Sequence, residues 1–149
     1  MITVTIYGLD QFVVGRLSRE LTPNLAKLYE TSEDDVLFIA PENMVFHKGV
    51  EQTSWNIIIH VNAPDRTKIV EKQVADYILE SIGDVAINKL IEFYYYSLNN
   101  RYSKFNDAYP RFIASDNLVD IDEENYEDME EGEGEDEIFT GDIFQNFHD

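Results

Sequence analysis

Twice along this chain an apolar run of strand character gives way to a stretch with helical periodicity and then to another such run, an alternation that leaves few folds open. ITVTIYG, at the start, has the β-branched and aromatic content of a strand. From Phe12 to about Tyr29 the apolar residues Val13, Leu17, Leu21, Leu25 and Leu28 recur every three or four positions, which is one face of a helix. Pro23 lies inside that stretch and predicts a kink or a restart, with Thr22 capping the second piece. After the acid-rich turn TSEDD, VLFIA reads as a buried strand, PENMVFHKGVEQTS as a polar connection and WNIIIHV as another strand. NAPD reads as a loop leading to a second helix. Its buried face is Ile69, Val70, Val74, Ile78, Leu79 and Ile82, and Gly83 ends it. VAINKLIEFYYYS completes the series as a long strand. The order β-α-β-β-α-β predicts an α+β domain: a four-stranded sheet with two right-handed crossovers and both helices on one face.

Such helices cover only one side of the sheet, yet VLFIA, WNIIIHV and LIEFYYYS are apolar or aromatic on both. A face that rich needs cover, which points to a homo-oligomer; the other reading has the segment after Ser97 folding back over it.

The net charge of −19 is unevenly divided. Residues 1–113 hold all the Lys and Arg and come to −4, whereas residues 114–149 hold none and come to −15. One domain, 1–113, followed by an acidic tail, 114–149, is the natural division. EENYEDMEEGEGEDE has the composition of disorder. The closing EIFTGDIFQNFHD differs, because Phe139, Phe144 and Phe147 stand with Ile138 and Ile143 in polar sequence. That pattern suits a linear motif for a protein partner, docking on the chain's own domain or a neighbouring subunit, or a plain solubilising appendage.

Several classes of function are excluded as expectations. No basic stripe exists to attract phosphates, so nucleic acid is not an expected partner. An acidic mimic of nucleic acid ranks last, since it rests on the tail alone. With no cysteine, a disulfide framework, a thiolate nucleophile and a cysteine-bound metal are out of reach, and a cytoplasmic home is the default. No run approaches the roughly 18 apolar residues of a membrane span, and the start lacks the features of a secretory signal. His47, His60 and His148 do not form a ligand cluster, and DNLVDIDEENYE lacks the sixth-position glycine of a calcium loop. The glycines of EEGEGEDE lie among carboxylates that would repel a phosphate. Neither metal nor cofactor is expected.

The stretches LSRELTPNLAKLYETSEDDVLFI and KIVEKQVADYILESIGDVAINKLIEFYYYSLNN resemble the first and second halves of a tautomerase-superfamily domain. That group contains 4-oxalocrotonate tautomerase and macrophage migration inhibitory factor. The layout of residues 1–113, with the segment from Phe46 to Gly49 and the tyrosine-rich end, is similar to its uncharacterised bacterial branch, the domain-of-unknown-function family 1904. The resemblance implies a homotrimer that covers the second sheet face. It also implies a reaction whose base is a proline directly after the initiator, a secondary amine with its pKa lowered in an apolar pocket. Arginines would hold the substrate carboxylate and steady the enolate-like charge.

Here the second residue is Ile2. Methionine aminopeptidase removes the initiator only before small residues, so Met1 is expected to stay, carrying a primary amine displaced from the proline position. Proline-dependent activity is therefore not expected. The candidate pocket comprises Met1, Ile2, Lys48, His60, Tyr95 and Arg101, with Arg101 foremost because it follows the last strand within NNRY. His60 could serve as an acid or base near neutrality. Arg16, Arg19, Lys104 and Arg111 are further cations, and a solvated surface charge is the commoner fate for all of them. Tyr94, Tyr95 and Tyr96 must alternate in direction, and packing explains them without catalysis; Trp55 is expected to anchor a strand start. The leading expectation is a small-molecule-binding or protein-interaction module. The alternative is a keto–enol isomerase acting on a small carboxylated 2-keto acid with another base, such as the Met1 amine or His60. Whether the protein is an enzyme stays open at this point.

Overall fold

A computed structural model describes residues 1–114 and divides the chain into two units, Met1–Ser103 and a second beginning at Lys104. Strand β1 (Ile2–Tyr7) opens the first unit. Helix α1 (Gln11–Leu28) follows, then β2 (Val36–Ile39), the two-residue strands β3 (Phe46–His47) and β4 (Val50–Glu51), β5 (Asn56–Pro64), α2 (Glu71–Ile82) and β6 (Asn88–Tyr96). The main sheet runs β2-β1-β5-β6; β1 is parallel to β2 and antiparallel to β5, and β5 is parallel to β6. This is the α+β architecture that the alternation of patterns predicts.

The pleat sorts the strand residues by face. Ile2, Val4 and Ile6 of β1 point with Ile57, Ile59, Val61 and Ala63 of β5 toward the helices, where all are buried. Val14, Leu17, Leu21 and Leu25 of α1 and Val74, Ile78 and Ile82 of α2 close over them in a single core. Phe93 and Tyr95 of β6 pack against its margin.

α1 begins at Asp10, whose carboxylate accepts the Phe12 N–H at 2.8 Å and so satisfies one of the free donors of the first turn. The helix then runs through Pro23 without interruption, which corrects the expected restart. Pro23 gives no N–H to the carbonyl of Arg19, a loss that normally ends a helix. The apolar stripe continues on both sides of it, Leu17 and Leu21 before and Leu25 after, and that burial outweighs the missing bond.

Three other local expectations change. The polar connection holds a hairpin, β3 with β4, turned by Lys48 and Gly49, which both adopt left-handed φ values of 49° and 82°. NAP belongs to β5 rather than to a loop. Ile69 is 89% exposed, because Asp65–Val70 form a 3-10 turn whose three-residue period swings that position outward before α2 begins. Among the described residues no helix is long and apolar enough to cross a membrane.

Candidate functional site

The antiparallel register brings the start of β1 to the edge of the sheet where β5 and β6 finish, since Thr3 pairs with Asn62 and Pro64 with Tyr96. The hydroxyl of Tyr96 donates to the carbonyl of Met1. After β6, the Ser97 side chain accepts the Asn99 N–H at 3.3 Å and caps the turn Leu98–Asn100, which reverses the chain. Arg101 thereby returns to the same carbonyl: Nη1 donates to it at 3.1 Å, and the guanidinium lies 4.8 Å from the centre of the Tyr96 ring. Stacking of this kind holds a guanidinium flat while leaving further N–H donors for a planar anion.

Tyr95, one residue away, points through the sheet to the helix side. Its hydroxyl donates to Glu71 Oε2 at 2.6 Å, Lys68 Nζ lies 5.0 Å from its ring centre, and its ring stacks on Phe93. Burial, then the hydrogen bond and charge of Glu71, push its phenol well above the ordinary range. Burial and Glu71 do the same to Tyr29, whose buried hydroxyl has no hydrogen-bond partner. Near neutral pH both phenols therefore stay protonated and neither serves as a base; Tyr95 alone of the two donates, to Glu71.

The sequence-predicted candidates do not all gather here. Met1 and Arg101 meet directly. The Ile2 side chain is 2% exposed and belongs to the core. Tyr95 faces the helices, as above. His60 lies mid-sheet on the uncovered face, opposite Thr5, with its Nε2 3.1 Å from Glu92 Oε2. Lys48 occupies the hairpin turn, and the connection before that hairpin packs at Gly8, past the far end of β1, so Lys48 is not brought to Met1. Trp55 is 58% exposed and is no interior anchor. Phe139, Phe144 and Phe147 lie outside the described residues.

Tyr96, Glu71, Lys68 and Glu92 complete these arrangements, and sequence reasoning missed them as partners. The only available signal was strand alternation, which places Glu92 and Tyr94 on one face and Tyr95 on the other once the register is known. Among the described residues, no group of three or more His, Asp or Glu side chains could hold a metal ion. A cavity of about 260 Å³ opens between the start of α1 and the loop after β2, lined by Asp10, Gln11, Glu42 and Met44 among others; its two carboxylates disfavour an anionic ligand.

No family model matches the sequence, and no curated protein matches it significantly. Solved structures do. A member of domain-of-unknown-function family 1904 from Sebaldella termitidis superposes with a TM-score of 0.63 at 21% identity, covering 69% of this chain and 95% of its own. A macrophage migration inhibitory factor-like protein from Entamoeba histolytica gives 0.53 at 12% identity, covering 69% and 93%. A member of the cis-3-chloroacrylic acid dehalogenase family gives 0.54 at 15% identity, covering 68% and 79%.

Proposed function

We propose, on the premise that this chain has the fold of the tautomerase superfamily, that it works by binding rather than by proline-dependent turnover. One observation carries the reading. Where that reaction would need a proline at position 2, Ile2 is locked in the core, and the nearby donors of Tyr96 and Arg101 are turned onto the chain's own Met1 carbonyl. The remaining N–H groups of Arg101 suit a small carboxylate, and the alternative role is contact with a protein partner.

Homo-oligomerisation, as a trimer, belongs to the same reading. It is supported by the uncovered sheet face, where Ile39, Leu90 and Tyr94 remain 41–52% exposed. A cytoplasmic setting accords with the cysteine-free composition. The second reading, a keto–enol isomerase with another base, is favoured by the guanidinium beside Met1.

Intact mass combined with an enol-to-keto assay on phenylpyruvate and related 2-keto acids separates the two. Retained Met1, turnover at background, and a carboxylate affinity that falls about 10- to 100-fold in Arg101→Ala are expected, the loss of one charge-assisted contact. Turnover that depends on Arg101 would overturn the binding reading and establish the isomerase.

A further inference from the structure

The uncovered sheet face carries a polar network that the site at Met1 does not use. His60 Nε2 lies 3.1 Å from Glu92 Oε2, and the Tyr94 hydroxyl donates to the same oxygen at 3.2 Å. The Tyr7 ring from β1 and the Tyr94 ring from β6 meet the imidazole edge to face, with centroids 4.9 and 5.0 Å away. These, with Thr5 opposite, are the groups that β1 and β6 turn toward His60, and both helices pack on the other side of the sheet. The hydrogen bond to Glu92 raises the Tyr94 phenol, so it remains a protonated donor.

Charge on this face is sparse. Among the residues that the pleat of the four strands directs to it, Glu92 is the sole carboxylate, and Lys and Arg are absent. For a chain of net charge −19, it is a surface on which two copies can approach with a single strand carboxylate, Glu92, on each side.

We infer that the His60–Glu92 pair is a proton-operated regulator of self-association through this face, an inference that rests on the homo-oligomer reading. In a single copy the two side chains are 27% and 45% exposed, and water screens them. A second copy laid over them removes that water, and a carboxylate so enclosed is costly unless it is paired and hydrogen-bonded. With His60 protonated, Glu92 has an imidazolium and the Tyr94 hydroxyl as partners, and the pair is neutral. With His60 neutral, each copy brings one uncompensated negative charge into the interface.

Imidazoles change charge between about pH 5 and 8, so association is tight near about pH 6 and weakens toward about pH 8. The tail carboxylates remain ionised throughout that range and contribute little to the change.

The test is sedimentation velocity of the full chain over a dilution series at about pH 6 and about pH 8 in about 0.15 M salt, with circular dichroism confirming the fold of each variant. Wild type is expected to dissociate about tenfold more readily at the higher pH. Glu92→Gln keeps an acceptor for Tyr94 without the charge, so the imidazolium becomes the unpaired group, and the wild-type slope is expected to be lost or reversed, with association no tighter at about pH 6 than at about pH 8. His60→Gln is expected to be fixed at the weaker value. An oligomer whose affinity is the same at both pH values, or a Glu92→Gln variant that keeps the wild-type slope, would overturn the inference and leave the oligomer standing. A monomer under both conditions would overturn the oligomer reading and this inference with it.

Discussion

Replacing Ile59 by alanine is expected to remove about 2–5 kcal/mol of stability, a large share of the roughly 5–15 kcal/mol available to a domain of this size. Ile59 is fully buried in the middle of β5, registered between Ile6 and Ile91 on the helix side of the sheet. Its removed methyl groups leave a cavity bounded by strands on both sides. Those strands are tied by backbone hydrogen bonds and cannot collapse inward, so both the transfer and the cavity contributions apply. Urea unfolding followed by circular dichroism should show the midpoint fall at unchanged slope. Ile58→Ala, one residue away on the uncovered face, is the internal comparison and should cost clearly less at concentrations where the chain is a single copy. Equal losses at the two positions would contradict the assignment of faces.

Alanine at Gly8 is the second substitution with a large expected cost, about 2–4 kcal/mol. Gly8 ends β1 at a φ of 78°, a left-handed value that costs an L-residue about 1–2 kcal/mol. An added Cβ would stand 2.9 Å from the Asn56 carbonyl oxygen and 3.0 Å from Val45 Cγ2. The first of these contacts is backbone at the start of β5, and the Ser54 N–H donates to the Gly8 carbonyl at 2.8 Å, so neither side can shift freely. Gly15, on the exposed face of α1, meets nothing within 4 Å. The same change there should stabilise by about 0.5–1 kcal/mol, because glycine is the poorer helix former. Opposite signs at the two glycines, read as shifts in thermal midpoint, are the expected pattern; two losses of similar size would refute the account of Gly8.

The fold was legible wherever a pattern repeated along the chain. Leu17, Leu21 and Leu25 marked α1, Val74, Ile78 and Ile82 marked α2, and the β-branched runs marked every long strand. It was obscured where a single residue overruled its neighbours. Pro23 argued for a break, but packing on either side decided otherwise; Ile69 continued the apolar pattern yet belonged to a tighter turn with a different period. The hairpin at Lys48 and Gly49 was missed because its strands are two residues long, too short for alternation to register. The candidate site was legible only in part. Arg101 could be singled out from its place after β6, and its convergence with Met1 follows from a register spanning nearly the whole domain. Glu92 and Tyr94 differ from their strand neighbours only in which side of the sheet they face, and nothing local announces that His60 will lie between them and Tyr7.

The strand order β2-β1-β5-β6 puts the first-made strand in the interior of the sheet, with consequences during synthesis. β2 follows within about 35 residues and can cover one side of β1, but its partner on the other side is β5, and Thr3 must wait for Asn62. At a ribosomal rate of about 5–20 residues per second, β1 keeps one unsatisfied backbone edge for several seconds. ITVTIY is the kind of segment that joins strands from other chains while it waits. The nascent protein is thus most vulnerable to aggregation before Pro64 has emerged, and a chaperone that holds extended apolar chain has those seconds in which to act.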